Sequence, residues 1–564
     1  MNSHNIKKLN AQIKKLSIEV SKNLFSLMHD YPDSWMCRST ELSFSDPIWK
    51  KYVYFHLHNG HRSNQKYSNV GVDNEKHEKS LKVKHKYMRI ANYIKIRKRD
   101  NYIKQESELK YIIYFFLNFI SEVSAVLVDR IIKVLKFQKI SNSSFEIALY
   151  SNYPANWVGP EKTQYRFLGS LNNDDDIKNR LLHIISPIHK NDTRLGSCFD
   201  YTKAIMKFIN KDNVAFLQTH TSLIDIFNCY VLLFNLFESE LHKEIIKYLK
   251  IDFGKSLSDK RFKYIDRPKQ LSLYNSMVRY LKTNPNIKTI LVPGFELVEG
   301  RAIIKAARDN GVKVIGVQHG VQGEFGCWRV INATASLSTA NSSVSPNQVL
   351  VEGSIYAKCF KDNGFKNVKV IGASRIKQLP PRPIKYHKGN NIIIFVMLDL
   401  HDWKSLYEWS FNLARTNKNI ITINRPHPKA FRKVKDYKKK NMHNLDNFVF
   451  DNNVSLNNSV RINKPNFVVA RSTGGLIEMA LSRWPCILYY KKGEFDTNPI
   501  ALMKGSNDII TVTDEKKSIE NMLRLMCTKD VTDYADILFR IASQHVGAYG
   551  HEANYLFKEA ILSN

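Results

Sequence analysis

The sequence predicts an α/β protein built from two Rossmann-like domains, each a parallel sheet covered by helices, preceded by a basic and mainly helical region. Three observations carry this expectation. From about residue 143, short β-rich runs alternate with amphipathic segments. A proline-rich break at 379–390 (LPPRPIKYHKGN) interrupts the alternation, which then restarts. Residues 1–140 lack the alternation and hold 26 Lys and Arg against 13 Asp and Glu. The expected organisation is a basic helical region over 1–142, a first Rossmann-like domain over 143–378, a linker over 379–390, a second domain over 391–545 and a C-terminal helix over 546–564.

Each element has its own signal. In the first domain, strands are expected at 145–150 (FEIALY), 214–218 (VAFLQ), 287–292 (IKTILV), 312–317 (VKVIGV), 348–352 and 368–371. A helix over 298–310 ends at Gly311, and a second covers 354–363. In the second domain, strands are expected at 391–396, 420–424, 447–450, 466–470, 486–490 and 508–512, with helices over 403–416 and 475–482 between them. Helices over 516–526, 533–542 and 552–562 close the chain. The apolar run 111–128 carries Asn118, Ser121, Glu122 and Ser124, so it reads as a buried or interfacial helix rather than a membrane span. Asp174-Asp175-Asp176 follows two asparagines and reads as a turn rather than a metal-binding loop.

Composition bounds the function. The 564 residues hold 85 Lys and Arg against 52 Asp and Glu, a net charge of +33, which points to an anionic partner. The stretch from Lys76 to Lys104 concentrates eleven basic residues against Glu78 and Asp100, and suggests contact with anionic lipid or an anionic glycan. No RNP box, zinc finger or basic zipper supports a nucleic-acid partner. Seven scattered cysteines without a CxxC argue against a disulfide framework and a structural zinc. The first twenty residues lack the apolar core of a signal peptide, so a cytoplasmic setting is the default expectation. The absence of GxGxxG and Walker A sequences weakens dinucleotide and P-loop readings.

Three segments carry chemistry. In 293–320 (PGFELVEGRAIIKAARDNGVKVIGVQHG), Glu296 and Glu299 sit where a strand turns into a helix. That edge is where open α/β sheets bind ligands, and a carboxylate there can act as base or nucleophile. Gln318, His319 and Gly320 end the next strand at the same edge. In 420–428 (IITINRPHP), Arg425 offers a guanidinium fork for an anion, and Pro426 and Pro428 stiffen the loop around His427. In 468–485 (VVARSTGGLIEMALSRWP), Ser472, Thr473, Gly474 and Gly475 open a helix that carries Glu478. Hydroxyls and free N–H groups there suit an anion, and the carboxylate suits sugar hydroxyls.

In this order the segments resemble the GT-B glycosyltransferases of bacterial surface polysaccharide synthesis, most closely those using CMP-activated acidic sugars such as Kdo and the nonulosonic acids. The matching features are Glu296, Glu299 and Arg301 leading to Gln318-His319-Gly320, then His427-Pro428, then Ser472-Thr473 with Glu478. Ile371-Gly372-Ala373-Ser374-Arg375 resembles the G-S-x-R piece that ends the first domain. The likeness covers roughly 143–545; the D/E-D/E-G motif of some sialyltransferases is replaced by Val298-Glu299-Gly300.

The resemblance implies two domains facing a cleft, an acceptor in the first and a nucleotide sugar in the second. It implies donor-phosphate contacts from His427 and the Ser472-Thr473 turn, a ribose contact from Glu478, and Gln318, Gly320, Arg375 and Arg425 as further donor-binding residues. It implies no metal and no cofactor beyond the CMP-sugar substrate. Glu296, Glu299 and His319 remain alternative acid–base or nucleophilic groups, with either stereochemical course open. The expected acceptor is a surface glycan, lipid-linked in one version, and the expected setting is the cytoplasm, in one version peripheral at the inner face of the bacterial inner membrane. Two alternatives stand beside this one: a GT-B transferase using a UDP- or GDP-hexose or a polyol-phosphate donor, and a non-enzymatic polyanion-binding protein.

Overall fold

A computed structural model describes residues 108–136, 145–153, 157–158, 164–187, 202, 204–208, 211, 213–230, 267–295, 298–318, 345–362, 365–376, 391–399, 403–427, 430–441, 445–451, 456–471, 473–489, 511–512, 519–522, 524 and 530–562. The basic stretch from Lys76 to Lys104 and the linker 379–390 lie outside the described residues. The chain divides into two compact units: Met1–His319 with Arg329–Leu350 and Phe360–Lys369, and Gly320–Trp328 with Val351–Cys359 and Val370–Asn564.

Both units are α/β with parallel sheets, as the alternation of runs predicts. In the first sheet the strands are β1 (Ile147–Tyr153), β4 (Leu181–Pro187), β5 (Val214–Phe216), β6 (Thr289–Pro293), β7 (Lys313–Val317), β8 (Gln348–Val351) and β9 (Val368–Val370). They run in the order β5-β4-β1-β6-β7-β8-β9. Two short strands, β2 (Trp157–Val158) and β3 (Gln164–Tyr165), pair antiparallel. The central strands are continuous apolar runs, and β6 and β7 are buried along almost their whole length. That is what a parallel strand with helices on both faces requires.

The first unit's helices are α1 (Glu108–Lys136), α2 (Asp175–Arg180), α3 (Leu223–Tyr230), α4 (Arg267–Thr283) and α5 (Val298–Asp309). The apolar run of α1 is a packed helix. Phe115 and Val126 are buried with Ile226 and Cys229 of α3, and Glu122 accepts a 2.8 Å hydrogen bond from Ser272 of α4. Among the described residues no helix is long and apolar enough to cross a membrane. The aspartate run is a helix start rather than a turn: Asp174 caps α2 by accepting from the Ile177 N–H, and Asp175 and Asp176 occupy its first turn.

In the second unit, β10 (Ile392–Met397), β11 (Ile420–Arg425), β12 (Phe448–Phe450), β13 (Phe467–Ala470), β14 (Cys486–Tyr489) and β15 (Thr511–Val512) form a sheet in the order β12-β11-β10-β13-β14-β15. Alternate residues of β10 serve opposite faces. Phe395 and Met397 join one core with α10 (Gly475–Leu481) and α11 (Asp530–His545). Ile394 and Val396 join the other with α7 (Trp403–Thr416) and α8 (Phe431–Asn441). Helix α7 shows why it forms: Leu406, Trp409, Ser410, Leu413 and Ala414 recur at helical spacing on one buried face. The basic run in α8 is a solvated face, with Arg432, Lys433, Lys435 and Lys439 exposed around buried Val434. The remaining helices are α6 (Ser354–Asp362), α9 (Leu456–Asn463) and α12 (Gly550–Leu562).

Candidate functional site

Sheet topology singles out one edge in each unit. In the second, the chain goes from β10 to β11 and β12 on one side, then crosses to β13 on the other. The crevice beyond the carboxyl ends at such a reversal is where open α/β sheets bind ligands. The register fixes who stands there: Met397 lies opposite both Arg425 of β11 and Ala470 of β13. His427 therefore follows one flanking strand by two residues, and Thr473 follows the other by three. Asp399, 7% exposed, follows β10 by two residues, and the sequence pattern gives it no signal.

The β13 exit is tight. The Gly475 N–H meets Thr473 Oγ1 at 3.3 Å, and the Leu476 N–H donates to the Thr473 carbonyl at 3.0 Å. A Cβ at Gly475 would make ordinary van der Waals contact with Met397 Sδ and Leu456 Cδ2, each at 3.4 Å, so the turn lies against the end of β10. Ser472 and Pro428 lie outside the described residues.

The two arginines expected at the donor have other partners. Arg425 gives its Nη1 to Asp451 Oδ2 and Ser459 Oγ, each at 2.7 Å, and Ser459 in turn donates to Asp451 at 2.6 Å. Asp451 is almost fully buried, so this ion pair ties the end of β11 to the end of β12 and to α9. Arg375 is bidentate to Glu352, Nε to Oε1 at 3.0 Å and Nη2 to Oε2 at 2.8 Å. Its Nη1 lies 3.5 Å from Glu478 Oε1. Burial alone would lower the Arg375 pKa, but Glu352 and then Glu478 outweigh it and the net direction is upward. Both guanidinium groups thus have carboxylate partners within the second unit: Arg425 pairs with Asp451, and Arg375 with Glu352 and Glu478.

Glu352, like Asp451, carries no signal in the sequence, and Glu352, Arg375 and Glu478 all belong to the second unit. Residues after α11 hold the network in place. The Gly547 N–H donates to the Glu352 carbonyl at 2.9 Å, and the Ala373 N–H to the Ala548 carbonyl at 2.8 Å. Gly372 has φ +73, and a Cβ there would lie 2.2 Å from the Ala548 oxygen, so the approach excludes any side chain.

In the first unit the order reverses between β1 and β6, so the turn after β6 stands at the corresponding edge. Gly294, at φ +67, and Phe295 form that turn, and Glu299 stands in the first turn of α5. A Cβ at Gly300 would lie 2.7 Å from the Gly294 carbonyl oxygen and 2.8 Å from Phe295 Cα, which explains the glycine beside Glu299. We expect Gly300→Ala to displace this turn and destabilise the unit by about 1–3 kcal/mol, read by urea unfolding; an unchanged midpoint would contradict the packing. Arg301 is fully buried, and Gln318 is 5% exposed at the end of β7, its N–H donating to the Leu350 carbonyl at 3.0 Å. Burial pushes the Tyr150 hydroxyl pKa up, and the Glu299 carboxylate adds to it. Glu296, His319 and Gly320 lie outside the described residues. Among the described residues no group of three His, Cys, Asp or Glu side chains is placed to hold a metal ion.

No protein-family model matches the chain, and no curated protein matches it. Similar solved structures include the S. aureus MnaA–UDP co-structure, at 11% identity and TM-score 0.43, over 74% of this chain and 96% of that one. UDP-GlcNAc 2-epimerase from Neisseria meningitidis bound to UDP-GlcNAc aligns at 11% identity and TM-score 0.41, over 74% and 99%. The glycotransferase of kitacinnamycin aligns at 12% identity and TM-score 0.42, over 74% and 98%. All three TM-scores lie below 0.5, and the identities are 11–12%.

Proposed function

We propose that the chain is a nucleotide-sugar-dependent glycosyltransferase, and that its donor is a CMP-activated acidic sugar, Kdo or a nonulosonic acid, passed to a surface-polysaccharide acceptor. The observation that carries this reading is the convergence at the second sheet's reversal point. His427 and the Thr473–Gly475 turn follow the two strands that flank β10, and Glu478 lies one turn into α10, paired with Arg375. A nucleoside monophosphate leaving group gains negative charge as the glycosidic bond breaks. The His427 ring, the Thr473 hydroxyl and the backbone N–H groups of the turn are the groups that would meet it. Glu478 supplies acceptor oxygens for the ribose hydroxyls. Glu296, Glu299 and His319 are the proposed candidates for taking the acceptor proton.

The direct test is CMP release from CMP-Kdo or a CMP-nonulosonate in the presence of an acceptor oligosaccharide. We expect release by the full chain and a loss of at least about 100-fold in His427→Ala, the scale of one general acid–base or electrostatic group. Unchanged turnover in a folded His427→Ala would remove the histidine from the site. Release of UDP or GDP from a hexose donor instead would replace the CMP assignment by its alternative.

A further inference from the structure

The first unit contains a second feature, away from the edge that carries Glu299 and Gln318. A cavity of about 470 Å³ opens among Phe145, Lys178, His183 and Asn213, walled by Trp157 and Phe208. Phe145 precedes β1, Lys178 precedes β4 and Asn213 directly precedes β5, and these three strands are parallel. The cavity therefore stands at the amino ends of the strands, the opposite end of the sheet from the turn after β6.

Its chemistry is selective. Among the described residues that line it, none carries a carboxylate, while Lys178 and Lys211 bring two ammonium groups. Lys178 also pairs with Asp175 at 3.0 Å at the surface, and Lys211 lies 5.6 Å from the Phe208 ring centre. Trp157 and Phe208 pack with ring centres 5.0 Å apart and planes 52° apart, and give the wall an apolar part. His183 is 9% exposed, and its Nδ1 is buried with no hydrogen-bond partner. A buried polar atom left in that state costs stability unless something satisfies it. Burial, then the Lys211 charge, lowers the His183 pKa to about 4. At pH 7 the ring is therefore neutral, with one donor and one acceptor nitrogen.

We propose that this cavity binds an anionic sugar, carboxylated or phosphorylated, as a saccharide site separate from the proposed donor site. The volume suits one or two sugar rings. Trp157, 6% exposed, offers an apolar contact to the sugar's C–H groups, Asn213 and His183 meet hydroxyls, and Lys211 and Lys178 meet the acidic group. The inference does not rest on the activity proposed above, since the residues belong to the first unit and the donor residues to the second.

Titration calorimetry of the full chain tests it, with glucuronic acid, glucose 1-phosphate, glucose and inorganic phosphate as probes. We expect one or both acidic sugars to bind at least about 10-fold more tightly than glucose and phosphate. Which of the two binds tells a carboxylated glycan unit from a phosphosugar. Lys211→Gln, at an exposed position, should weaken that binding at least about 5-fold, Lys211→Arg should preserve it, and His427→Ala should leave it unchanged. The proposal is overturned if no acidic sugar binds at millimolar concentration, or if glucose or phosphate binds as tightly. It is equally overturned if binding is lost in His427→Ala and kept in Lys211→Gln, which would place the ligand in the second unit.

Discussion

Replacing Arg375 by methionine should destabilise the second unit by about 3–5 kcal/mol, because it leaves the Glu352 carboxylate buried without its partner. The side chains of Arg375 and Glu352 are only 7% and 5% exposed, so water cannot stand in for the missing guanidinium. The same change frees Glu478 from the Nη1 contact at 3.5 Å. Loss of nucleotide affinity and loss of stability would then arrive together, and one variant could not separate them. The double variant Glu352→Leu with Arg375→Met does. Replacing both buried charges by apolar groups is often neutral or stabilising, so unfolding should return close to wild type. Nucleotide affinity should stay at least about 10-fold reduced, about 1.4 kcal/mol, because Glu478 remains unpositioned. A double variant that is stable and binds as tightly as wild type would show that Glu478 does not depend on Arg375.

The second large effect is on acid stability. His545 is buried and receives or gives a 2.9 Å hydrogen bond with the Tyr356 hydroxyl, and burial lowers its pKa to about 4. His183 is lowered to about 4 as well, by burial and then by Lys211. In the unfolded chain both return to about 6.5. Between those values the unfolded state binds more protons, so stability rises with pH across the window. The contribution is complete above about pH 6.5 and is lost as pH falls towards 4, at most about 3 kcal/mol for each ring. Urea unfolding at pH 7, 5.5 and 4.5 should show the decline, in the first unit through His183 and in the second through His545. His545→Gln should lower stability at pH 7 and flatten the slope of the second unit. An unchanged slope would mean that this ring does not titrate as its burial requires.

Much of the architecture was legible in the sequence because burial on both faces writes itself locally. The helix over 403–416 coincides with α7, since an amphipathic run with a buried stripe leaves little choice of ends. The strands of the second sheet were found within one to three residues of their ends, because β10, β13 and β14 are short apolar runs between polar breaks. Strand β4 was missed: its LLHIISP run has a histidine third and a proline last, which hid a central strand paired to β1 and β5. Helix α4 was missed for want of a clear stripe in RPKQLSLYNSMVRYLKT.

The site was legible only where its parts are consecutive. His427 and the 472–475 turn announced themselves by glycine, proline and hydroxyl residues at strand ends. Their juxtaposition needed the strand order, because β11 and β13 meet only through β10. The partners of the arginines were not legible at all. Glu352 lies 23 residues before Arg375, and Asp451 lies 26 residues after Arg425, so both ion pairs depend on tertiary placement. From sequence each guanidinium looked ready for a ligand; in the fold each is bound to a carboxylate of its own chain.

The most direct test of the central claim is a melting-temperature series of the full chain with CMP, UDP and GDP at matched concentrations. A ligand that binds only the folded state stabilises it by mass action, about 2.7 kcal/mol at a hundred times Kd. CMP should raise the second unit's transition while UDP and GDP leave it in place, and Glu478→Gln should reduce the CMP shift. A shift with UDP or GDP and none with CMP would contradict the donor assignment, and no shift with any of the three would contradict the nucleotide-sugar site itself.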